Sequence, residues 1–456
     1  MRTVFNTFWY SLFLLAIPLH GEAQGNASPL DGYVRHGLEN NLVLQQKNIS
    51  LEQALLALKM ANGMFAPSVS LLGNYIDGTG GRSISFPVGD LLNPVYSTLN
   101  QLTGSGAFPQ IENVKTNFFP QDFYDMRART SMPLVNTDLI YARKIKTGQV
   151  RLQEMEIRIY QRELVRNIKV AYFNYLSARE SLAIYESALE RAREGKRVNE
   201  SLLANGKGLP AYVLRSESEI ETIQAQLVDA ERQTENAKMY FNFLLNRESA
   251  AGIASDFTPD LSPVAARLAQ EPESQQREEL MQLQQVANIN QQIVRMDKMF
   301  WTPRLSGFID LGAQAENLKY NRNARYQLTG LQLEMPLFAG LNNKRKINQS
   351  QLQVKTAELN LRLVDQQLQM TADVAHNALI SSYRNYQTSL KQLEAARSYQ
   401  RLIDKGYREG LNTFLEAVDA RNQLTGAELL LKLNLYKVLI AEAGLERETA
   451  SYPLNR

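Results

Sequence analysis

The sequence predicts a mainly α-helical chain made by tandem duplication, in which each half carries a pair of β-strands and a long helical hairpin. Three observations support this. Stretches of the chain recur at an offset near 204 residues. Small and apolar residues return every 3.5 residues over long runs. Between proline-marked points the period falls to 2.

The duplication is the most direct of the three. "AYFNYLSARESLAIYESALERA" starts at Ala171 and "AHNALISSYRNYQTSLKQLEAA" at Ala375, which is 375 − 171 = 204. The same step carries Gly206 onto Gly410, Ile220 onto Leu424, Leu227 onto Leu431 and Ala237 onto Ala441. Upstream, "SMPLV" and "EMPLF" set Pro133 opposite Pro336, and "FAPSVSL" and "WTPRLSG" set Pro67 opposite Pro303. Those offsets are 203 and 236, so the first half holds 236 − 203 = 33 extra residues between its prolines.

Ahead of the repeats, residues 1–23 read as a secretory signal. They have an early Arg2, an apolar run from Phe8 to Leu19, and small residues at Gly21 and Ala23 near the cleavage point. That run is too short to span a bilayer, and no later window of apolar residues is long enough. If such a chain enters a membrane, it does so as strands.

In each half the helical seam alternates steps of three and four. The first half runs Ile157, Leu164, Ile168, Ala171, Tyr175, Ala178, Leu182, Tyr185, Leu189, Ala192 and, after the turn, Ile220, Ile223, Leu227, Ala230, Thr234, Ala237, Phe241, Leu244. The second half runs Ala375, Leu379, Ser382, Tyr386, Leu393, Ala396, then Ala417, Ala420, Leu424, Ala427, Leu431, Asn434, Val438, Ala441, Leu445. The first helix of each pair is expected to run about 60 residues, on the order of 90 Å. Many Ala and Ser on the seams favour close packing. The hairpins turn at "NGKGLPA" and "REGLNTF", where Gly206 and Gly410 supply the conformation a helix end needs.

Between the prolines lie four candidate strands. In "YDMRARTSMPL", Tyr124, Met126, Ala128, Thr130 and Met132 alternate with Asp125, Arg127, Arg129 and Ser131. "RLSGFIDLGAQ" alternates likewise, Phe308 excepted. "SVSLLGNYI" and "YQLTGLQLEM" complete the set, the latter with an expected phase slip near Thr329–Gly330. An apolar face and a polar face over such lengths suit a sheet with lipid on one side. The connection at 78–121 is expected to be a long loop rich in Gly, Pro, Asn and Ser, and its counterpart at 314–324 a short one. Tyr75, Phe123, Tyr124, Tyr326 and Trp301 are candidate membrane-interface aromatics. Four strands cannot close a barrel, and lipid does not tolerate open edges. Either the sheet is small and soluble or several chains pool their strands.

Composition excludes other classes. A formal charge of +3 on a 456-residue chain, with no Lys/Arg-rich run, gives no case for nucleic acid. With no Cys there is no disulfide framework, thiolate nucleophile or thiolate metal site. Beyond the signal only His36 and His376 remain, far apart, and no HExxH, nucleophile elbow, phosphate loop or EF-hand loop is present. No catalytic, cofactor or metal site is expected. By spacing alone Glu416 and Asp419, at i and i+3, mark a solvated helix face.

With its two proline-led strand pairs, its "MPLV"/"MPLF" strand-to-helix passages, its paired turns at Gly206 and Gly410, and its last hairpin "GLNTFLEAVDARNQLTGAELLLKLNLYKVLIAEAGL", the chain resembles the TolC-like outer-membrane efflux proteins from about Leu38 to Leu445. The resemblance implies a homotrimer in the outer membrane. Three chains would share a 12-stranded β-barrel and a periplasmic α-barrel of helical hairpins, working with a periplasmic adaptor protein and an inner-membrane transporter. It implies a first repeat at 24–248, an equatorial linker at 249–276, a second repeat at 277–447 and a tail at 448–456. By position, Tyr407, Glu416 and Asp419 fall at the pore entrance, and the Gly206 and Gly410 turns at the tip where the adaptor docks. The basic residue that this family carries two positions after the turn glycine is Asn412 here, and its acidic partner is Tyr212. Tyrosine and amide contacts are the expected replacement. The implied function is the exit duct of an efflux system for small toxic molecules. The alternatives are the duct of a type I protein secretion system, or a secreted coiled-coil structural or binding protein. The shared face of Asp125, Arg127 and Arg129 argues against the last.

Overall fold

The computed structural model describes residues 28–119, 121–269 and 277–454. The expected signal at 1–23 and the end of the 249–276 segment lie outside them. In chain order the elements are α1 (Pro29–Asn40), α2 (Leu42–Gly63), β1 (Ser68–Ile76), β2 (Ser83–Phe86), α3 (Val88–Thr103), β3 (Val114–Asn117), β4 (Phe123–Val135), α4 (Thr137–Ala204), α5 (Pro210–Leu244), α6 (Ser262–Leu268), α7 (Glu278–Lys298), β5 (Arg304–Glu316), β6 (Arg325–Glu334), α8 (Asn342–Arg408) and α9 (Phe414–Glu448). The repeat is visible in these bounds. α4 ends at 204 and α8 at 408, while α5 and α9 both span 35 residues and are 204 apart at either end. α4 and α8 run 68 and 67 residues, somewhat longer than the expected 60.

The chain divides into two compact units. One holds α1, α5, α6, α9 and the parts of α4 and α8 next to the turns. The seam residues are its core: Leu164, Ile168, Ala171, Ala192, Leu379, Ala417, Ala420 and Val438 are almost fully buried. The linker after α5 is packed against these helices. Tyr172 donates to Ala254 O at 2.9 Å, Ala254 N–H donates to the Tyr33 hydroxyl at 2.7 Å, and Phe257 meets the rings of Tyr172 and Phe173. Burial pushes the Tyr172 hydroxyl pKa well above its ordinary value. Val264 on α6 lies buried with Leu379, Val438 and Leu445.

The other unit holds α2, the strands, α7 and the starts of α4 and α8. Its sheet is antiparallel in the order β1-β4-β5-β6. Two expectations need correction. The β5–β6 ladder is continuous from Arg304/Glu334 to Ala313/Arg325, so there is no slip at Thr329–Gly330, and the irregularity sits at Pro133/Val135 on β4. Proline has no N–H to give the ladder, and the strand bends there. The 78–121 connection is not plain loop, because β2 pairs with β3 around α3. Pro94 lies inside α3, and its paired asparagines read as turn signals in sequence. In the fold those asparagines clamp the helix to the returning chain: Asn93 binds both N–H and C=O of Ile111, and Asn100 both of Phe108. Ahead of β1 the chain forms two helices, broken at Asn41, whose side chain donates to Leu244 O at 2.9 Å.

Candidate functional site

The faces of the sheet follow from its register. Val69, Thr130, Ile309 and Thr329 stand abreast, as do Leu71, Ala128, Leu311 and Gln327; Met132, Gly307 and Leu331 form a further row. Alternate residues point the same way, so this face is a mainly apolar band in which Thr130, Thr329 and Gln327 are the polar members of these rows. It is uncovered in the single chain: Val69 is 73% exposed, Leu71 72%, Leu331 70% and Leu333 67%. The other face is charged. Arg129 grips Asp310 through two parallel hydrogen bonds of 2.7 Å and lies over the Phe308 ring at 4.8 Å. Arg127 and the Tyr326 hydroxyl both reach Asp125 at 2.7 Å. Tyr326 is thus held on the charged face rather than at a lipid interface, which corrects one of the aromatic assignments. Tyr124 is nearly buried and donates to Lys319 O, whereas Tyr75 and Trp301 are more than half exposed. Among the described residues, β1 and β6 each have one neighbouring strand.

The two helix turns form the second candidate region, inside the helical unit. Gly206 and Gly410 have φ of +70° and +79°, in the left-handed region that glycine enters without strain. At the first turn Lys207 N–H bonds Leu202 O at 2.8 Å and Gly206 N–H bonds Leu203 O at 3.0 Å. At the second, Leu411 N–H bonds Gly406 O at 2.7 Å and Gly410 N–H bonds Tyr407 O at 3.1 Å. These are the paired closing bonds of a Schellman motif, repeated 204 residues apart.

The helices leaving the turns start differently. α5 begins with Pro210 after Leu209, which makes no side-chain cap. α9 begins with a capping box: Thr413 Oγ1 accepts from Glu416 N–H, and Thr413 N–H donates to Glu416 Oε2 at 2.7 Å. Asn412 also donates to that oxygen, at 3.3 Å. The backbone N–H of Thr413, aided by its hydroxyl and by Asn412, holds the Glu416 carboxyl below its usual pKa. Asp419, one turn on, is exposed and accepts from Gln423 at 2.7 Å.

Tyr407 is half-buried and donates to Asn199 on α4, Asn199 donates to Ser216 on α5 at 2.7 Å, and Ser216 donates to Tyr212 O at 2.9 Å. Burial raises the Tyr407 hydroxyl pKa, with the Tyr212 hydroxyl a smaller contributor. Tyr212 stacks on Phe414 with ring centroids 4.8 Å apart. Nearby, Arg421 on α9 pairs with Glu219 on α5 at 2.9 Å, both side chains over 90% buried. The structure therefore brings Tyr407 and Glu416 to the turn at Gly410 and ties Tyr407 to the first hairpin through an amide. Sequence reasoning missed Asn199, Ser216, Glu219 and Arg421. A signal for two of them existed, since Asn199 lies one heptad beyond Ala192 on the seam and Ser216 at the seam position before Ile220, where a polar residue needs a partner.

With this geometry in view, comparison with known proteins is informative. The profile of a family described as outer membrane efflux protein matches residues 34–247 and 271–450. No curated protein sequence matches the chain. Among solved structures, the fold is shared with the outer membrane protein VceC of Vibrio cholerae (TM-score 0.73, 13% identity, 92% of this chain and 95% of that one). It is shared with the CmeC outer membrane channel of Campylobacter jejuni (0.72, 14%, 98% and 94%). The open state of the MtrE outer membrane channel of Neisseria gonorrhoeae is a third match (0.67, 16%, 92% and 91%). At such identities these likenesses establish the fold.

Proposed function

Since the chain belongs to the outer membrane efflux protein family and lies in the outer membrane with its helical part on the periplasmic side, we propose that it is the exit duct of a tripartite export system for small toxic molecules. The observation that carries this reading is the sheet: an apolar face without cover, a charged face tied together by Arg129–Asp310, and two free edges. Such a sheet is stable in lipid only when its edges are paired. Three copies supply twelve strands, within the range of closed outer-membrane barrels. The apolar band then meets lipid and the Arg127, Arg129 and Asp125 face lines the lumen.

In this arrangement the Gly206 and Gly410 turns form the periplasmic tip, where an adaptor docks and passes on substrate from an inner-membrane transporter. Tyr407, Glu416 and Asp419 stand at the entrance, and threefold symmetry turns the two carboxylates into acidic rings that favour cations. The test is native mass in detergent after extraction from a separated outer-membrane fraction. A trimer is expected, and a soluble monomer overturns the duct. On the trimer, Glu416→Gln with Asp419→Asn lowers cation selectivity in planar bilayers. Unchanged selectivity removes these residues from the entrance while leaving the duct intact.

A further inference from the structure

At the helix-side end of the sheet basic residues gather, and several of them have no acidic partner among the described residues. All four strands meet helices at this end, through Ser68, Val135, Arg304 and Glu334. Between Asp138 and Glu154, α4 carries Arg143, Lys144, Lys146 and Arg151 and no acid; between Glu334 and Glu358, the start of α8 carries Lys344, Arg345, Lys346 and Lys355 and again no acid. Some basic side chains of this unit are paired: Lys47 with Glu156, Arg304 with Asp138 and, in the second of these stretches, Lys346 with Asp297. Arg143, Lys144 and Arg151 have no carboxylate partner among the described residues, and all three are exposed. The one contact of this kind is the Lys144 ammonium 5.1 Å from the centre of the Tyr141 ring.

The three line a groove of about 440 Å³ between α4 and α7, together with Thr147, Gln285, Asn288 and Gln292. Gly148 lets the helices come this close, since a Cβ there would lie 2.7 Å from Ile289. The direction of the groove follows from the sheet. Arg304 alternates along β5 with Ser306, Phe308 and Asp310 on the charged face, and its partner Asp138, at 2.6 Å, lies on that side of α4. At 3.6 residues per turn, Ile140, Arg143, Lys144, Thr147 and Arg151 lie roughly 140° to 240° around the helix from Asp138. They face away from the lumen side, in continuity with the apolar band. Exposed Trp301, Leu337 and Phe338 occupy the same strand–helix junction.

A basic groove bordering an apolar belt matches the electrostatics of an anionic lipid surface, which draws in nearby Lys and Arg. Resting on the outer-membrane reading above, we infer that the Arg143–Lys144–Arg151 groove binds the phosphate-bearing headgroups of anionic phospholipids in the periplasmic leaflet. The guanidinium groups bond phosphate oxygens in pairs, Lys144 adds a point charge, and the amides of Gln285 and Asn288 offer neutral donors.

The test is native mass spectrometry of the full chain in detergent, titrated with dioleoylphosphatidylglycerol or, separately, dioleoylphosphatidylcholine, counting adducts per chain so that the result does not depend on copy number. Adducts are expected with phosphatidylglycerol in preference to phosphatidylcholine. Arg143→Gln/Lys144→Gln/Arg151→Gln should weaken them roughly five-fold per charge, about a hundred-fold in all. Lys146→Gln, on the same helix but outside the groove, should leave them unchanged and controls for folding. Adducts undiminished in the triple variant, or equally diminished by Lys146→Gln, overturn the assignment. Displacement of the lipid by millimolar inorganic phosphate would mark a free-phosphate site instead and overturns it too. A trimer that binds no phosphatidylglycerol leaves the duct standing and removes only this inference.

Discussion

The two helix turns of this chain are copies that have diverged on one side. Going into the turn, α4 and α8 end alike, with a left-handed glycine and the same two closing hydrogen bonds. Coming out, α5 relies on Pro210, whereas α9 is fixed by Thr413 and Glu416. The difference deepens one turn later. Arg421 of the second hairpin makes a buried pair with Glu219; its counterpart 204 residues earlier is Glu217, which meets Lys196 at 2.9 Å with both side chains partly exposed. The turn's backbone geometry constrains sequence tightly and has been kept, while the helix starts have been free to specialise. The second hairpin is the more firmly tethered of the two, and it is tethered to the first.

Substitutions at the two hairpins test that asymmetry, beginning with the largest expected effect. Arg421→Met leaves Glu219 buried without its cation and should cost about 3–5 kcal/mol, read from thermal or denaturant unfolding, while adding Glu219→Met recovers most of the loss. Lys196→Met, at the corresponding exposed pair, should cost far less, because solvent screens that pair. Equal losses at the two sites would erase the distinction. Gly206→Ala and Gly410→Ala each force a side chain into the left-handed region and should cost about 1–2 kcal/mol, the same at both turns.

Thr413→Ala removes the cap of α9 at about 1 kcal/mol, and Leu209→Asp, which gives α5 the cap it lacks, should gain a similar or smaller amount. Last comes pH. The Thr413 N–H lowers the Glu416 pKa, so the cap's electrostatic contribution is complete above the ordinary carboxylate pKa and is lost as pH falls through the lowered one. Acidification should weaken the wild-type protein slightly more than Glu416→Gln, which keeps an acceptor for the Thr413 N–H but does not titrate, and parallel pH–stability curves would show that the carboxylate charge contributes nothing.

Much of the fold was legible because it rests on periodicity. The seams, both turns and the four long strands follow from spacing, and most of the residues named on the seams are buried. What escaped rests on side chains that act at a distance in sequence. The helix α3 was hidden by Pro94 and by asparagines whose turn signal is really a clamp on Ile111 and Phe108. Phe308 and Leu328, apolar residues on the charged face of the sheet, blurred the alternation that fixes register, so a slip was expected where the ladder is regular. At the turns, Tyr407 and Glu416 were found by position, but Asn199 and Glu219 become meaningful only once the two hairpins are side by side.

The unpaired edges of β1 and β6 also bear on how the protein is made. A strand edge cannot shed its water into hydrocarbon until another strand satisfies it. The sheet of a single chain is therefore barred from the bilayer, and association becomes a step of folding rather than its sequel. Insertion should depend on chain concentration with an order above one, and a newly exported chain needs protection of its edges and apolar band in the meantime.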